Sequence, residues 1–302
     1  MPSPYRDDFR IRGYRFGSGE KTVAIVGAMR GDEIQQLYIC SQIVRQLTAL
    51  EAAGAIAVGH EILVIPCANP FSINIAKRFW AMDNTDINRM FPGYDRGETT
   101  QRIASGVFEA VKDFRYGIQL ASFYMPGDFI PHVRMQHTGY EDIDGARLFG
   151  MPYIAVKNPK SYDTTLLNYN WQIWNCHAFS LYGGQNHDIE SPKTAAAIDA
   201  TLRFLHRVGA LTHYASLTPD YNSAILHDSD LVTIVAPDSG IICLVRHAGD
   251  AVRCGDTIGR IIDPCDGSTK ATLVAPVNGV IFFAHNKPLV LSHTPVIKLV
   301  GR

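Results

Sequence analysis

The chain has 302 residues, 46% of them hydrophobic and 19% charged, which is apolar material for a large core and excludes a disordered chain. Its net charge of −1 lacks the basic excess that neutralises a phosphate backbone, so nucleic acid is excluded as the main partner. No apolar run approaches the roughly 20 residues of a membrane span, and the opening MPSPYRDDFRIRGYRFG lacks the apolar core of a signal peptide.

Residues 22–28 (TVAIVGA) are β-branched and apolar and end in Gly and Ala, the pattern of a buried parallel strand. Ile34, Leu37, Val44, Leu47 and Leu50 follow at spacings of three and seven, which share one helix face. Residues 61–66 (EILVIP) read as a second strand, halted by Ala-Asn-Pro. Residues 99–108 read as a helix, 117–120, 130–135, 152–156 and 179–181 as strands, and 193–208 as a helix. This alternation predicts an α/β fold with a parallel or mixed sheet covered on both faces, and ligands beyond the carboxyl ends of its strands.

The composition changes near Ser216, and from Asp230 short β-branched runs are punctuated by Gly, Pro, Asn and Asp. APDSGII at 236–242 returns as APVNGVI at 275–281, and Ile258 and Ile297 keep the same offset. Two interlocking copies of a four-strand pattern, forming a small barrel or sandwich, explain the repeat. The chain divides on this reading into an α/β domain over 1–215 and a β-rich domain over 216–302.

The residues after the strands carry the chemistry. GAMRGDE (27–33) follows the first strand, Asn69-Pro70 the second, and then come Arg78 and DINRMFPG (86–93). Together they resemble the succinylglutamate desuccinylase/aspartoacylase family of the zinc carboxypeptidase clan, over about residues 22–209. The second half resembles biotinyl/lipoyl-type barrel hybrids. The resemblance implies a carboxypeptidase-like mixed sheet with helices on both faces, a small C-terminal β-barrel or sandwich, and zinc-dependent deacylation. In the family, zinc is held by the His and Glu of HGxE after the first strand and by a His of DxH after a central strand. A later Glu takes the proton from the metal-bound water, and arginines hold substrate carboxylates.

Placed on this chain, the first His position is Arg30 and the Glu position is retained as Glu33. Gln119 and Ala121 stand where Asp and the second His are expected, and Tyr182 stands at the general-base position. The carboxylate-binding set implied by the resemblance, Arg78, Asn88 and Arg89, is intact. A guanidinium stays protonated and has no lone pair for zinc. An Arg30–Glu33 ion pair across the metal position is therefore expected, the other readings being a solvent-facing Arg30 or one that holds a ligand anion.

His132 is a candidate substitute ligand, with His177 and Asp128 behind it; the competing reading is an ordinary core or strand-surface histidine. No two histidines have the i, i+2 or i, i+4 spacing of a ready zinc pair. Phe79, Trp80, Phe123, Tyr124, Tyr169, Trp171 and Trp174 suit either an apolar pocket wall or plain packing. Cys67 reads as a buried thiol rather than a nucleophile, and the six dispersed cysteines as the reduced thiols of a cytoplasmic protein. Lys270 lies near the hairpin on which biotinyl/lipoyl carriers present a modified lysine, but Thr269 precedes it and the spacing is short, so an unmodified, solvated lysine is expected.

Arg78 and Arg89 are expected to converge on one ligand, with Asp83 and Asp86 as candidate internal acids and Asp86 orienting the turn. Two functions stay open. One is a small-molecule-binding protein with a degraded zinc site, no cofactor, and a pocket for carboxylate-bearing, N-acyl amino acid-like ligands. The other is an active hydrolase of amide or ester bonds on a rebuilt zinc site. Neither calls for nucleic acid or membrane, and a homo-oligomer is open in both.

Overall fold

The computed structural model describes residues 1, 8–187, 189 and 191–301. Part of the opening stretch read for a signal peptide, residues 2–7, thus lies outside the described residues.

The first half alternates as expected. Strands β1 (Tyr14–Gly17) and β2 (Gly19–Ala28) lead into helix α1 (Ile34–Ala52), then β3 (Gly59–Cys67) and the short α2 (Pro70–Asn74). A 3-10 turn at Ile87–Arg89 precedes α3 (Thr99–Val111), β4 (Tyr116–Leu120), β5 (Gly127–Gln136) and α4 (Ile143–Arg147). Strand β6 (Tyr153–Lys157), α5 (Leu167–Ile173), β7 (His177–Gly184) and α6 (Pro192–Arg207) complete it.

Strands β3, β2, β4 and β7 run parallel, β1 and β5 flank them antiparallel, and β6 lies parallel to β5. Alternate residues of the central strands feed two cores. Val23, Ile25, Ile62 and Val64 pack with Ile39 and Leu47 of α1 and Phe204 of α6. Ala24, Val26, Leu63 and Ile65 pack with Ile103 and Phe108 of α3 and Trp171 of α5 on the other face. None of the described helices is long and apolar enough to cross a membrane.

The C-terminal part contributes β8 (Ala224–His227), β9 (Leu231–Val235), β10 (Gly240–Leu244), β11 (Ala251–Val252) and β12 (Thr257–Ile262). It ends with β13 (Thr269–Val274), β14 (Gly279–His285), β15 (Leu289–Val290) and β16 (Pro295–Gly301). Strands β13-β12-β10-β15 form a four-stranded sheet facing β14, β16 and β9. The repeat is visible in the core between them, where Ala236 and Ala275, Ile242 and Ile281, and Ile258 and Ile297 are all buried in one cluster. Lys270 is not simply solvated: its Nζ lies 2.9 Å from Asp238 Oδ1 and donates to the Ser239 carbonyl, within the turn of the first repeat.

Strand pairing runs across the division at residue 215. Strand β8 pairs with β6, and β14 pairs with β5 at residues 127–129, leaving the C-terminal half of β5 to β6. Phe283, fully buried, seals the junction against Phe129 and Phe123, at centroid distances of 4.6 and 5.7 Å. Phe283→Ala should cost about 3–5 kcal/mol by leaving a cavity at this seam, read as a lowered midpoint of urea unfolding.

Candidate functional site

The loop after β2 turns tightly because it must. Gly31 sits against the 72–78 segment, where a Cβ would come 2.1 Å from the Lys77 carbonyl oxygen, and its N–H donates to the Arg78 carbonyl. The loop closes on Glu33: the N–H groups of Met29 (2.8 Å) and Arg30 (3.1 Å) both donate to Oε2. Arg30 Nη1 donates to Oε1 at 3.0 Å, and the Ser122 hydroxyl donates to the same oxygen.

The expected Arg30–Glu33 contact is thus present, and a second acid joins it. Arg30 Nε and Nη2 donate to Asp86 Oδ2 at 3.1 and 2.9 Å. Asp86 also orients its turn, accepting from the Asn88 N–H through Oδ1 at 3.0 Å. Burial disfavours the Arg30 charge, but Glu33 and Asp86 outweigh that and hold the guanidinium protonated above its usual range.

The sheet supplies the floor. In register across β4, β7 and β5 lie Gln119, Ser180 and Arg134, with His132 beside Tyr182 in the next row. Asn88 Oδ1 accepts from Gln119 Nε2 (3.1 Å) and from the Leu167 N–H (3.4 Å). Above this floor lies a cavity of about 420 Å³ lined by Arg30, Asn88, Arg89, Gln119, Ser180 and Tyr182, and also by Arg134, Gln136, Asn168, Lys157, Lys160 and Lys298. Four buried polar atoms on these walls have no hydrogen-bond partner: Arg134 Nε, Gln136 Oε1, and Asn168 Oδ1 and Nδ2.

Arg78 does not join Arg89 there, which corrects the expectation that the two converge. It lines a neighbouring cavity of about 350 Å³, on the other side of a wall formed by Ser122, Phe123, Tyr124 and Tyr182. The reason is a pair of internal acids. Asp32 takes Arg78 Nη1 at 2.9 Å, and Asp163 (3.4 Å) with the Tyr162 carbonyl (2.6 Å) holds Arg89 Nη1. Neither Asp83 nor Asp86 fills that role; Asp83 caps Thr85 and Asp86 serves Arg30.

The substitute ligands lie elsewhere. His132 is fully buried, with Nδ1 bonded to the Ile130 carbonyl and Nε2 3.1 Å from Arg134 Nη2. Burial, and then the Arg134 charge, hold its pKa well below the usual range, so it is neutral and accepts from Arg134. His177 pairs with Asp142 at the start of β7, and Asp128 pairs with Lys193. Ala121 lines the smaller cavity. Among the described residues no group of three or more His, Cys, Asp or Glu side chains could hold a metal ion.

Of the aromatic candidates, Phe123 and Tyr124 line both cavities. Trp171 and Trp80 are core, while Phe79 and Trp174 are exposed. Burial pushes the Cys67 thiol up to about 11, in keeping with an unreactive group. Sequence reasoning missed Arg134, Gln136, Lys157, Lys160, Asn168 and Lys298. Arg134 and Gln136 continue the alternate face begun by His132, a usable signal. Nothing near Lys298 in sequence marks it.

The chain can now be set beside known proteins. The sequence model of the Succinylglutamate desuccinylase/Aspartoacylase catalytic domain matches residues 19–176. An N-alpha-acetyl-L-2,4-diaminobutyric acid deacetylase of Halomonas elongata is 24% identical over 256 residues, 80% of this chain and 70% of that protein. The crystal structure of a succinylglutamate desuccinylase from a Silicibacter species superposes with a TM-score of 0.80 at 19% identity, covering 96% of this chain and 88% of that one. A product-bound ectoine utilization protein from Ruegeria pomeroyi gives 0.76 at 19% identity, covering 95% and 88%.

Arg30→Ala should cost about 3–5 kcal/mol, because it strands Glu33 as a buried charge with no cation. Arg30→Met with Glu33→Gln should recover part of that loss. Chemical denaturation of the two variants checks both values.

Proposed function

The chain belongs to the succinylglutamate desuccinylase/aspartoacylase family, a family of deacylases, and we propose that it has exchanged zinc chemistry for recognition of a small carboxylate-bearing, N-acyl amino acid-like ligand in the 420 Å³ cavity. The observation that carries this reading is the Arg30 guanidinium held between Glu33 and Asp86. An ionised carboxylate offers about four lone-pair sites. On Glu33 these meet two backbone N–H groups, the guanidinium and the Ser122 hydroxyl. A zinc ion at Glu33 would have to displace a buried cation and find further ligands where Arg30 and Ala121 stand, with Tyr182 in place of a general base. These residues do not fit the metal.

What the cavity retains suits an anionic ligand with amide character. Six cations line it (Arg30, Arg89, Arg134, Lys157, Lys160 and Lys298), against Asp163 and Asp228 on the walls and Glu33 and Asp86 behind Arg30, a net of +2. The unpaired Asn168 and Gln136 atoms supply acceptors for an N–H and a donor for a carbonyl. Phe123, Tyr124 and Tyr182 provide an apolar wall. The rival reading, an amide or ester hydrolase on a rebuilt metal site, requires ligands that the described residues do not bring together.

Two measurements test the proposal. Metal analysis of purified protein should find far less than one zinc per chain, and N-acyl amino acids should raise its melting temperature. Arg89, about a third exposed and already shared with Asp163, should contribute a modest charged contact. Arg89→Ala should weaken ligand affinity about tenfold while leaving the unliganded melting point almost unchanged. Stoichiometric zinc with amide hydrolysis would overturn the proposal in favour of the hydrolase. A broad acid screen that shifts neither protein would overturn the pocket itself.

A further inference from the structure

The cations of the cavity are not evenly neutralised. Arg30 and Arg89 face three carboxylates, Glu33, Asp86 and Asp163. Arg134 of β5, Lys157 of β6 and Lys298 of β16 face one, Asp228, whose Oδ1 lies 2.8 Å from Lys157 Nζ. Lys160, in the loop after β6, lies over the Tyr162 ring on the Asp163 side, which makes three cations against three carboxylates there.

Of Arg134, Lys157 and Lys298, only Lys157 has an ion pair among the described residues. Arg134 is only 8% exposed; its guanidinium carbon lies 3.9 Å from the Tyr182 ring centroid, its Nη2 reaches the neutral His132, and its Nε has no acceptor. Lys298 Nζ lies 5.7 Å from the centroid of Phe123. Burial, and then Lys157 and Arg134, hold the Lys298 ammonium down at about 8, with Lys160 adding to the effect and Asp228 opposing it. Arg134 is buried and Lys157 and Lys298 are half-buried, and like charges drawn together in this way persist where a counter-charge completes them.

We propose that Arg134, Lys157 and Lys298 form a subsite for a doubly charged phosphate-type group, so that the ligand of this cavity is a phosphate monoester rather than a simple carboxylic acid. Three cations against one carboxylate leave +2, which a single carboxylate only half balances. A phosphate monoester carries close to −2 above about pH 7 and presents three acceptor oxygens to the guanidinium and the two ammonium groups. The orphaned Arg134 Nε supplies a further donor. The remainder of the ligand lies toward Asn168 and Gln136, and this placement rests on the reading of the cavity as an acyl amino acid site. Lys298 then makes the C-terminal β-region a determinant of ligand choice, brought to the cavity by the pairing of β14 with β5.

Four probes separate the alternatives by calorimetry: N-acetyl-O-phosphoserine, N-acetylglutamate, N-acetylserine and inorganic phosphate. The phosphoserine derivative should bind about tenfold or more tightly than N-acetylglutamate at pH 7.5. Lys298→Met should remove that preference, costing the phosphoserine derivative about tenfold more affinity than it costs N-acetylserine, whereas Lys298→Arg should keep it. From pH 7.5 to 9 phosphate is already dianionic, so wild-type affinity should fall as Lys298 loses its proton, and the Arg variant should stay flat. Inorganic phosphate that binds as tightly as the phosphoserine derivative, with the same dependence on Lys298, would keep the subsite and identify free phosphate as its source. Equal binding of N-acetylglutamate, or a preference that survives Lys298→Met, would overturn the phosphate subsite while leaving the acyl amino acid pocket standing. If none of the four binds, the pocket reading falls and the subsite with it.

Discussion

A single buried guanidinium organises this site. Arg30 reaches Glu33 in its own loop and Asp86 in a turn more than fifty residues away, and each acid does a second task. Glu33 gathers the loop N–H groups, so the turn after β2 keeps its shape. Asp86 caps the 3-10 turn that presents Asn88 and Arg89. Two acids without the cation would repel each other in a poorly hydrated space; the cation without them would be a buried charge. The three groups are stable only together, and the loop, the turn and the cavity wall share that dependence.

The central α/β elements were legible because their signals are local. The run at 22–28 reports its own burial, whatever the rest of the chain does, whereas of Ile34, Leu37 and Leu47 only Leu47 is buried: the spacing located the helix, and its inner face is set by Ile39, Cys40, Ile43 and Leu47. Strand β1 escaped notice because it is a short edge strand with one buried residue, Phe16. Strand β8 has no pattern of its own beyond the pairing that β6 offers it. The repeat at 236 and 275 could be read because paired copies must bury equivalent positions. Its docking onto β5 could not, since that depends on which edge residues of β5 are left uncovered by β6.

The site divides in the same way. The Arg30–Glu33 pair follows from a spacing of three residues and the chemistry of a cation beside an acid. The partners of Arg78 and Arg89 did not follow, because Asp32 and Asp163 reach them through the tertiary fold. Lys298 lies farthest from any local signal, as it depends on register across β16, β14 and β5 together.

An arginine and a metal ion ask different things of the groups around them. A zinc ion concentrates charge on one centre, leaves a position open and acidifies water. A guanidinium spreads one charge over a plane, fixes directions through five N–H donors, and has no open position. Here those donors are directed at Glu33 and Asp86. Glu33 and Asp86 therefore neutralise Arg30, and no excess positive charge remains on that side of the cavity. The excess lies at Arg134, Lys157 and Lys298, on the side that the C-terminal strands complete. The pairing of β14 with β5 thus sets Lys298 of the β-region on the same cavity as Arg134 and Lys157 of the α/β scaffold, so the charge of this wall is a joint property of the two parts of the chain.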